Sequence, residues 1–342
     1  MWRTMESRDD DSTARSVRTS VRATTYRSLM LFSGRGNPEL SARIAYKLGL
    51  SLGPVTVKTF ADGEIYVKYE ESIRGADVFI VQPTCSPVNE NLMELLIMIQ
   101  AAKLASAHRI TAVVPWYGYS RQDKKSQPRE PITGKLVADL LQAAGVDRVL
   151  TMDLHAGQVQ GFFNVPVDHM TAVPMLSDYF KFKGLEDIVV VSPDAGGLKM
   201  AKRFGDRLGA SLAVLTKLRP EHNVARVMHV IGEVAGKTAI IVDDIIDTAG
   251  TLCNGVEALM EKGATEVYAA ATHPVLSGPA YERIANSSLK ELVVTDTIPL
   301  QGAVGRGKIV VLSTAGILAD TIHNVFADES VSELFQGENQ LF

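Results

Sequence analysis

The chain is short of cysteine: Cys85 and Cys253 are the two in 342 residues. Two thiols cannot build a disulfide framework, so the fold stands on its core and suits a reducing compartment. Positive charge is not in excess either. The formal net charge is −4 and no basic stripe dominates, which argues against bulk nucleic-acid binding. No apolar run approaches the ~18 residues of a membrane span, so no membrane partner is expected. Apolar residues are plentiful, at 46%, enough for a sizeable core. The length suits about two domains of roughly 100–200 residues each.

Residues 1–27 stand apart. They are rich in Arg, Ser and Thr, lack an apolar stretch, cannot be a secretory signal and read as a disordered tail. Arg and Ser richness is also a feature of organelle transit peptides, but Glu6, Asp9, Asp10 and Asp11 are not. A cytoplasmic location is therefore expected.

From Leu29 onward, short apolar strands alternate with helices. Strands are predicted over 77–82, 110–115, 148–153, 188–192, 238–243 and 266–271. Helices are predicted over 39–48, 89–106, 135–144, 198–208 and 250–262. The strands are continuous apolar runs, such as Ile188-Val189-Val190-Val191, as a parallel strand covered on both faces requires. Alternation with helices implies right-handed crossovers and open α/β sheets. A strand–loop–helix–strand unit occurs at 77–115 and again at 238–271, which suggests two similar domains with a boundary near 165–175. The predicted helix 89–106 is apolar nearly all round, so it belongs in a core or against another subunit.

Ligands of open α/β sheets sit beyond the carboxyl ends of the strands. After Ile240-Ile241-Val242 come Asp243 and Asp244, then a small-residue turn through Asp247, Thr248, Ala249, Gly250 and Thr251. Backbone N–H groups at the start of the following helix, with its dipole, favour an anion there. Gly250 permits close approach, and the hydroxyls of Thr248 and Thr251 add donors. The lysine of a Walker A loop is missing, so a nucleoside-triphosphate cradle is not the match. Two carboxylates beside a phosphate site suit the paired hydroxyls of a ribose. The same spacing also describes an ordinary strand–helix turn with Asp247 or Thr248 as N-cap.

That loop resembles the ribose-phosphate loop of the phosphoribosyltransferase fold. The segments 60–64, 120–125, 153–156, 192–197, 242–251 and 272–278 stand in the order seen in the ribose-phosphate pyrophosphokinase family, and the chain is similar to its phosphate-regulated class from about Leu29 to the C-terminus. The resemblance implies two phosphoribosyltransferase-like α/β domains, at 28–170 and 171–342, each with a mainly parallel sheet flanked by helices. It also implies the reaction: ribose 5-phosphate takes a diphosphoryl group from Mg²⁺-bound ATP, leaving AMP.

By resemblance, ATP falls to Phe60, Asp62, Gly63 and Glu64 and to Arg121, Gln122, Asp123 and Lys124. Ribose 5-phosphate falls to Asp243, Asp244, Asp247, Thr248, Ala249, Gly250, Thr251 and Arg219. The metal-associated positions are His155 and Asp194, of which the carboxylate is the better Mg²⁺ partner. Lys217 and Arg219 match the pair that offsets charge in the transition state; Leu218 stands between them where a second Arg is common. On residues alone, Lys217 and Arg219 are a solvated basic loop, 60–64 is a hairpin turn, and Cys85 is a buried small hydrophobe. The turn Leu312-Ser313-Thr314-Ala315-Gly316 resembles the family's regulatory loop, which implies phosphate and ADP as regulators. A ring of dimers, often a hexamer, is implied too. A phosphoribosyltransferase would share the 243–251 loop but would not need 60–64 or 121–124. A silent regulatory homologue would not need Lys217, Arg219, His155 and Asp194.

Overall fold

The structure, a computed structural model, describes residues 27–218, 227–300 and 306–335. The expected tail, apart from Arg27, and Arg219 lie outside the described residues, as does the side chain of Lys217.

The first part of the chain runs β1 (Leu29–Ser33), α1 (Pro38–Leu48), β2 (Val55–Thr59), β3 (Ile65–Tyr69), β4 (Asp77–Val81), α2 (Val88–Leu104), β5 (Arg109–Val114), α3 (Thr133–Ala144), β6 (Arg148–Met152) and β7 (Val167–Met170). The second part begins with α4 (Val173–Lys183), β8 (Ile188–Ser192), α5 (Leu198–Leu208), β9 (Ser211–Leu218), β10 (Val227–Ile231) and β11 (Thr238–Ile246). It ends with α6 (Gly250–Glu261), β12 (Glu266–Pro274), α7 (Ala280–Asn286), β13 (Glu291–Thr295), β14 (Ile309–Leu312) and α8 (Ala315–Ala327).

One parallel sheet has the order β1-β4-β5-β6-β7. The other has the order β10-β9-β8-β11-β12-β13-β14, parallel except for β10 against β9. The molecule thus has the expected α/β architecture of two helix-flanked, mainly parallel sheets. β4 is buried at every position, which is why its sequence runs Val-Phe-Ile-Val instead of alternating. β2 and β3 form an antiparallel hairpin outside both sheets, with 60–64 as its turn.

Two predicted strands run on. β11 and β12 each extend three residues past 243 and 271, because Ile245 still pairs with His273 and Ile246 with Pro274. Asp244, like Asp243, therefore lies within β11, not after it. Helix α2 buries Leu92, Leu95, Met98, Ile99 and Ala102 on one face but leaves Met93 and Leu104 exposed.

The two sheets share a core. Leu31, Phe79 and Leu150 of the first belong to one cluster with Val190, Ile240 and Val293 of the second. Helix α8 packs back on α1, and Arg109 at the start of β5 donates to Asp328 just past α8 at 2.8 Å.

Candidate active site

Both sheets aim carboxyl ends at one cleft of about 1180 Å³. The second sheet contributes Asp243 and Asp244 from β11, and Asp194 with Gly196 and Gly197 from the turn after β8. The first contributes His155, just past β6, and Arg121, Asp123 and Lys124 from the long connection after β5. Residues 121–124, 155, 194 and 243–244, scattered over more than a hundred positions, thus line one cleft, apart from Gln122. That residue faces a neighbouring cavity of about 550 Å³, with Trp116 and Ser277, and Arg121 borders both.

Residues 247–251 line neither cavity, yet they connect to the cleft. Asp247 Oδ2 accepts from Arg121 Nη1 at 2.7 Å, and its Oδ1 accepts from Ser277 Oγ. The loop is further tied by Leu276 N donating to Ile246 O at 3.0 Å and Ser277 N to Asp247 O at 3.1 Å. The N-cap of α6 is Ala249, in the left-handed region at φ 57°, and no side chain caps the helix. Neither Asp247 nor Thr248 is the cap, because the turn extends one residue further before helical geometry begins. A helix start without a side-chain cap leaves its N–H groups to another acceptor, and an anion is the acceptor that the dipole favours.

Electrostatics separates the neighbouring carboxylates. Burial, followed by repulsion from Asp244, pushes Asp243 well above the usual carboxylate range. Burial acts on Asp244 the same way and is the largest single influence, but the hydrogen bonds with His155 and Asp243 and the nearby histidines together outweigh it and hold Asp244 below that range. His155 Nδ1 lies 2.7 Å from Asp244 Oδ2, and this bond raises the imidazole pKa against the effect of burial. For Asp247 too, burial is outweighed by the bonds from Ser277 and Arg121, and its pKa is lowered. The Asp194 carboxylate is fixed by its own turn: Oδ1 accepts from Gly196 N at 2.8 Å and Gly197 N at 3.0 Å. Among the described residues, no three His, Cys, Asp or Glu side chains converge on one metal position.

Phe60, Asp62, Gly63 and Glu64 line neither cavity. They sit at the hairpin tip, where Phe60 is 52% exposed, Gly63 takes φ 95°, and Phe60 N donates to Glu64 O at 2.8 Å. Lys217 stands opposite Met228 at the end of β9 from which the chain crosses to β10. Cys85 is buried as expected, and burial pushes its thiol up to about 11.

Residues 29–145 match the N-terminal domain of ribose phosphate pyrophosphokinase, and 217–336 the phosphoribosyl synthetase-associated domain. The ribose-phosphate pyrophosphokinase of Oceanobacillus iheyensis is 55% identical over 308 residues, covering 90% of this chain and 97% of that one. The Bacillus caldolyticus enzyme is 57% identical over 307 residues, covering 90% and 98%. The crystal structure of phosphoribosylpyrophosphate synthetase from Mycobacterium smegmatis superposes with a TM-score of 0.84 at 46% identity, covering 88% of this chain and all of that one. This chain belongs to the ribose-phosphate pyrophosphokinase family. As a member it is a ribose-phosphate diphosphokinase, a transferase that passes the β,γ-diphosphoryl group of ATP to the anomeric hydroxyl of ribose 5-phosphate. The products are phosphoribosyl diphosphate, a nucleotide precursor, and AMP.

Several groups of this pyrophosphokinase escaped the sequence reading. Arg283, on α7, donates to Thr248 O at 2.8 Å and brings positive charge to the 247–251 loop; nothing near it in sequence marks it. Asp153 Oδ2 accepts from Thr272 Oγ1 at 2.6 Å and from Ala172 N at 2.8 Å. His273 Nε2 reaches the carbonyls of Met152 and Asp153 at 3.1 and 3.2 Å. These bonds join the ends of β6 and β12 beneath the cleft. Asp153 and the 272–278 segment stood among the family motifs, so that signal was present without its meaning.

Proposed function

We propose a division of labour in the cleft between the domains at 28–170 and 171–342. Asp243, Asp244 and the 247–251 loop hold ribose 5-phosphate: the uncapped start of α6 binds the 5-phosphate, and the carboxylates take the ribose hydroxyls. Arg121, Gln122, Asp123 and Lys124 hold ATP from the other wall. The Arg121–Asp247 ion pair links the two sets, so the reacting groups are brought together by one rigid wall on each side, which is most of what diphosphoryl transfer demands. Lys217 and Arg219 offset charge developing on the transferring group.

Mg²⁺ fits this cleft. It keeps several waters and rests on one or two carboxylates plus substrate phosphates, which agrees with a site holding no cluster of three protein ligands. Asp194, rigidly held through Oδ1 alone, is the better anchor. His155 is engaged by Asp244 through Nδ1, so only its Nε2 is turned to other use. When bound, Mg²⁺ supplies charge neutralisation on the diphosphate oxygens.

Phe60, Asp62, Gly63 and Glu64 contribute the adenine contacts, from a neighbouring subunit. The observation that carries this is their exposed position at a hairpin tip outside both cavities. The enzyme then works as a homohexamer, a ring of dimers; Met93 on α2 with Leu136 and Leu140 on α3, all exposed, supply apolar surface for subunit contact. Phosphate and ADP act as regulators at the 312–316 turn through Ser313, since the Thr314 hydroxyl is already given to Asp296 at 2.8 Å. No helix among the described residues is long and apolar enough to cross a membrane, and a cytoplasmic site of action follows from the substrates.

Mixing Phe60→Ala with Lys217→Ala subunits tests the assembly. If each site combines both groups from different chains, random mixing restores about a quarter of the sites, as a repeated subunit contact requires. No recovery, with hybrid oligomers verified by mass, would show that each site is built within one chain.

A further inference from the structure

The β2–β3 hairpin packs on the first domain through Val55, Val67 and Tyr69, with β3 lying against α2. At its base, Tyr69 packs edge-on against Phe32 with centroids 4.6 Å apart, and its hydroxyl donates to Met98 O at 2.9 Å. At its tip, Arg35 Nη1 donates to Thr59 Oγ1 at 2.9 Å, one residue before Phe60. Among the described residues this is the side-chain bond that ties the tip to the body of the first domain.

Arg35 is itself immobilised. It lies in the β1–α1 turn, and Glu94 of α2, 1% exposed, receives both its Nε at 2.5 Å and its backbone N at 2.6 Å. A buried carboxylate needs this pairing, since an unpaired charge there is costly. Gln82 completes the grip: Nε2 donates to Glu94 Oε1 at 3.1 Å, and Oε1 accepts from Gly36 N at 2.8 Å. The flanking glycines permit the approach. A Cβ on Gly34 would meet Gln82 Oε1 at 2.3 Å, and one on Gly36 would meet the Pro83 carbonyl at 2.7 Å. The guanidinium is planar, so fixing Nε against Glu94 also fixes the direction of Nη1.

We propose that Arg35 is a positioning residue for ATP: clamped by Glu94, it holds Thr59 and so sets the direction in which the 60–64 turn is presented. This rests on the reading that this turn carries the adenine contacts. A two-stranded hairpin has little stability of its own, so without the tip contact the turn samples many directions and adenine binding carries the cost of ordering it.

Arg35→Met and Thr59→Val are measured beside Phe60→Ala. Arg35→Met keeps the aliphatic stem but frees Thr59, and Thr59→Val removes the acceptor while leaving the Glu94 pair whole, so it decides the matter even if Arg35→Met folds poorly. Each is expected to raise the KM for ATP roughly five- to tenfold, the loss of one charged hydrogen bond. The KM for ribose 5-phosphate and kcat at saturating ATP stay within about twofold, a split that general damage to the fold would not produce. The double variant is no worse than the worse single, because one interaction is lost. If Phe60→Ala raises the KM for ATP while Thr59→Val leaves it unchanged, Arg35 does not position the turn and the proposal is overturned. If Phe60→Ala itself leaves that KM unchanged, the adenine reading of the turn falls, and the proposal with it.

Discussion

The second sheet reaches the cleft with residues close to its own strand ends. Asp194 is two positions past β8, Asp243 and Asp244 lie inside β11, and the 247–251 loop joins β11 directly to α6. The first sheet reaches out with longer segments. Arg121 is seven positions beyond Val114, the end of β5, and residues 60–64 ride on a hairpin belonging to neither sheet. In the second sheet, strand register and helix start together place the groups, so short-range geometry suffices. In the first, contacts distant in sequence, Arg121 with Asp247 and Arg35 with Glu94, do the placing. On the proposed assignment, the groups that let a nucleotide in and out sit on the more loosely tethered side.

The sharpest test of this contrast lies at Lys217, near the end of β9, the strand next to the edge of the second sheet. Lys217→Ala is expected to lower kcat by on the order of 10²-fold or more, as when a preorganised charge donor is lost, with little change in the KM for ribose 5-phosphate. A near-normal kcat would break the assignment and leave the second sheet with binding alone.

Gly250→Val probes the local geometry. A Cβ there would lie 3.3 Å from Arg283 Nη1, a flexible end that can yield, so the fold should survive. The branched side chain still crowds the backbone an anion must approach. The KM for ribose 5-phosphate should rise about tenfold, the scale of one lost hydrogen bond to a charged group, and the KM for ATP far less. Equal effects on both would show that the two sides are not separable.

The smallest effect concerns the joint between the sheets. Burial lowers the pKa of His273, against the pull of Asp153 and Asp244. A histidine kept neutral in the fold contributes stability that is present above its unfolded pKa of about 6.5 and is lost as pH falls below that value. Melting temperature should therefore fall between pH 7.5 and 5.5, and His273→Gln should reduce that fall by on the order of 2 °C. Equal falls in both proteins would mean that the joint is not pH-sensitive.

Helices α5 and α6 began at their predicted residues because Gly197 and Gly250 interrupt the apolar pattern where the helix must start. The ends of β11 and β12 were missed because His273 and Pro274 do not look like strand residues; pairing with Ile245 and Ile246 keeps them extended. Strands β7 and β14, at four residues each, were too short to show a period. Helix α8 was not foreseen as a partner of α1, since nothing local says that a C-terminal helix turns back to the first domain.

By itself, the sequence determined the parallel α/β class, through apolar runs alternating with helices, and the turn at 247–251 that opens α6, through small residues in strand–turn–helix order. It also determined family membership, through motifs in register. Only the tertiary structure decided which carboxylate pairs with His155, that Arg121 meets Asp247, that Arg283 supports the loop, and that Arg35 reaches the hairpin tip. The reason is range. Backbone preference and periodicity act over a few residues and are written locally, whereas an ion pair across 126 positions exists only once packing has brought its two ends together.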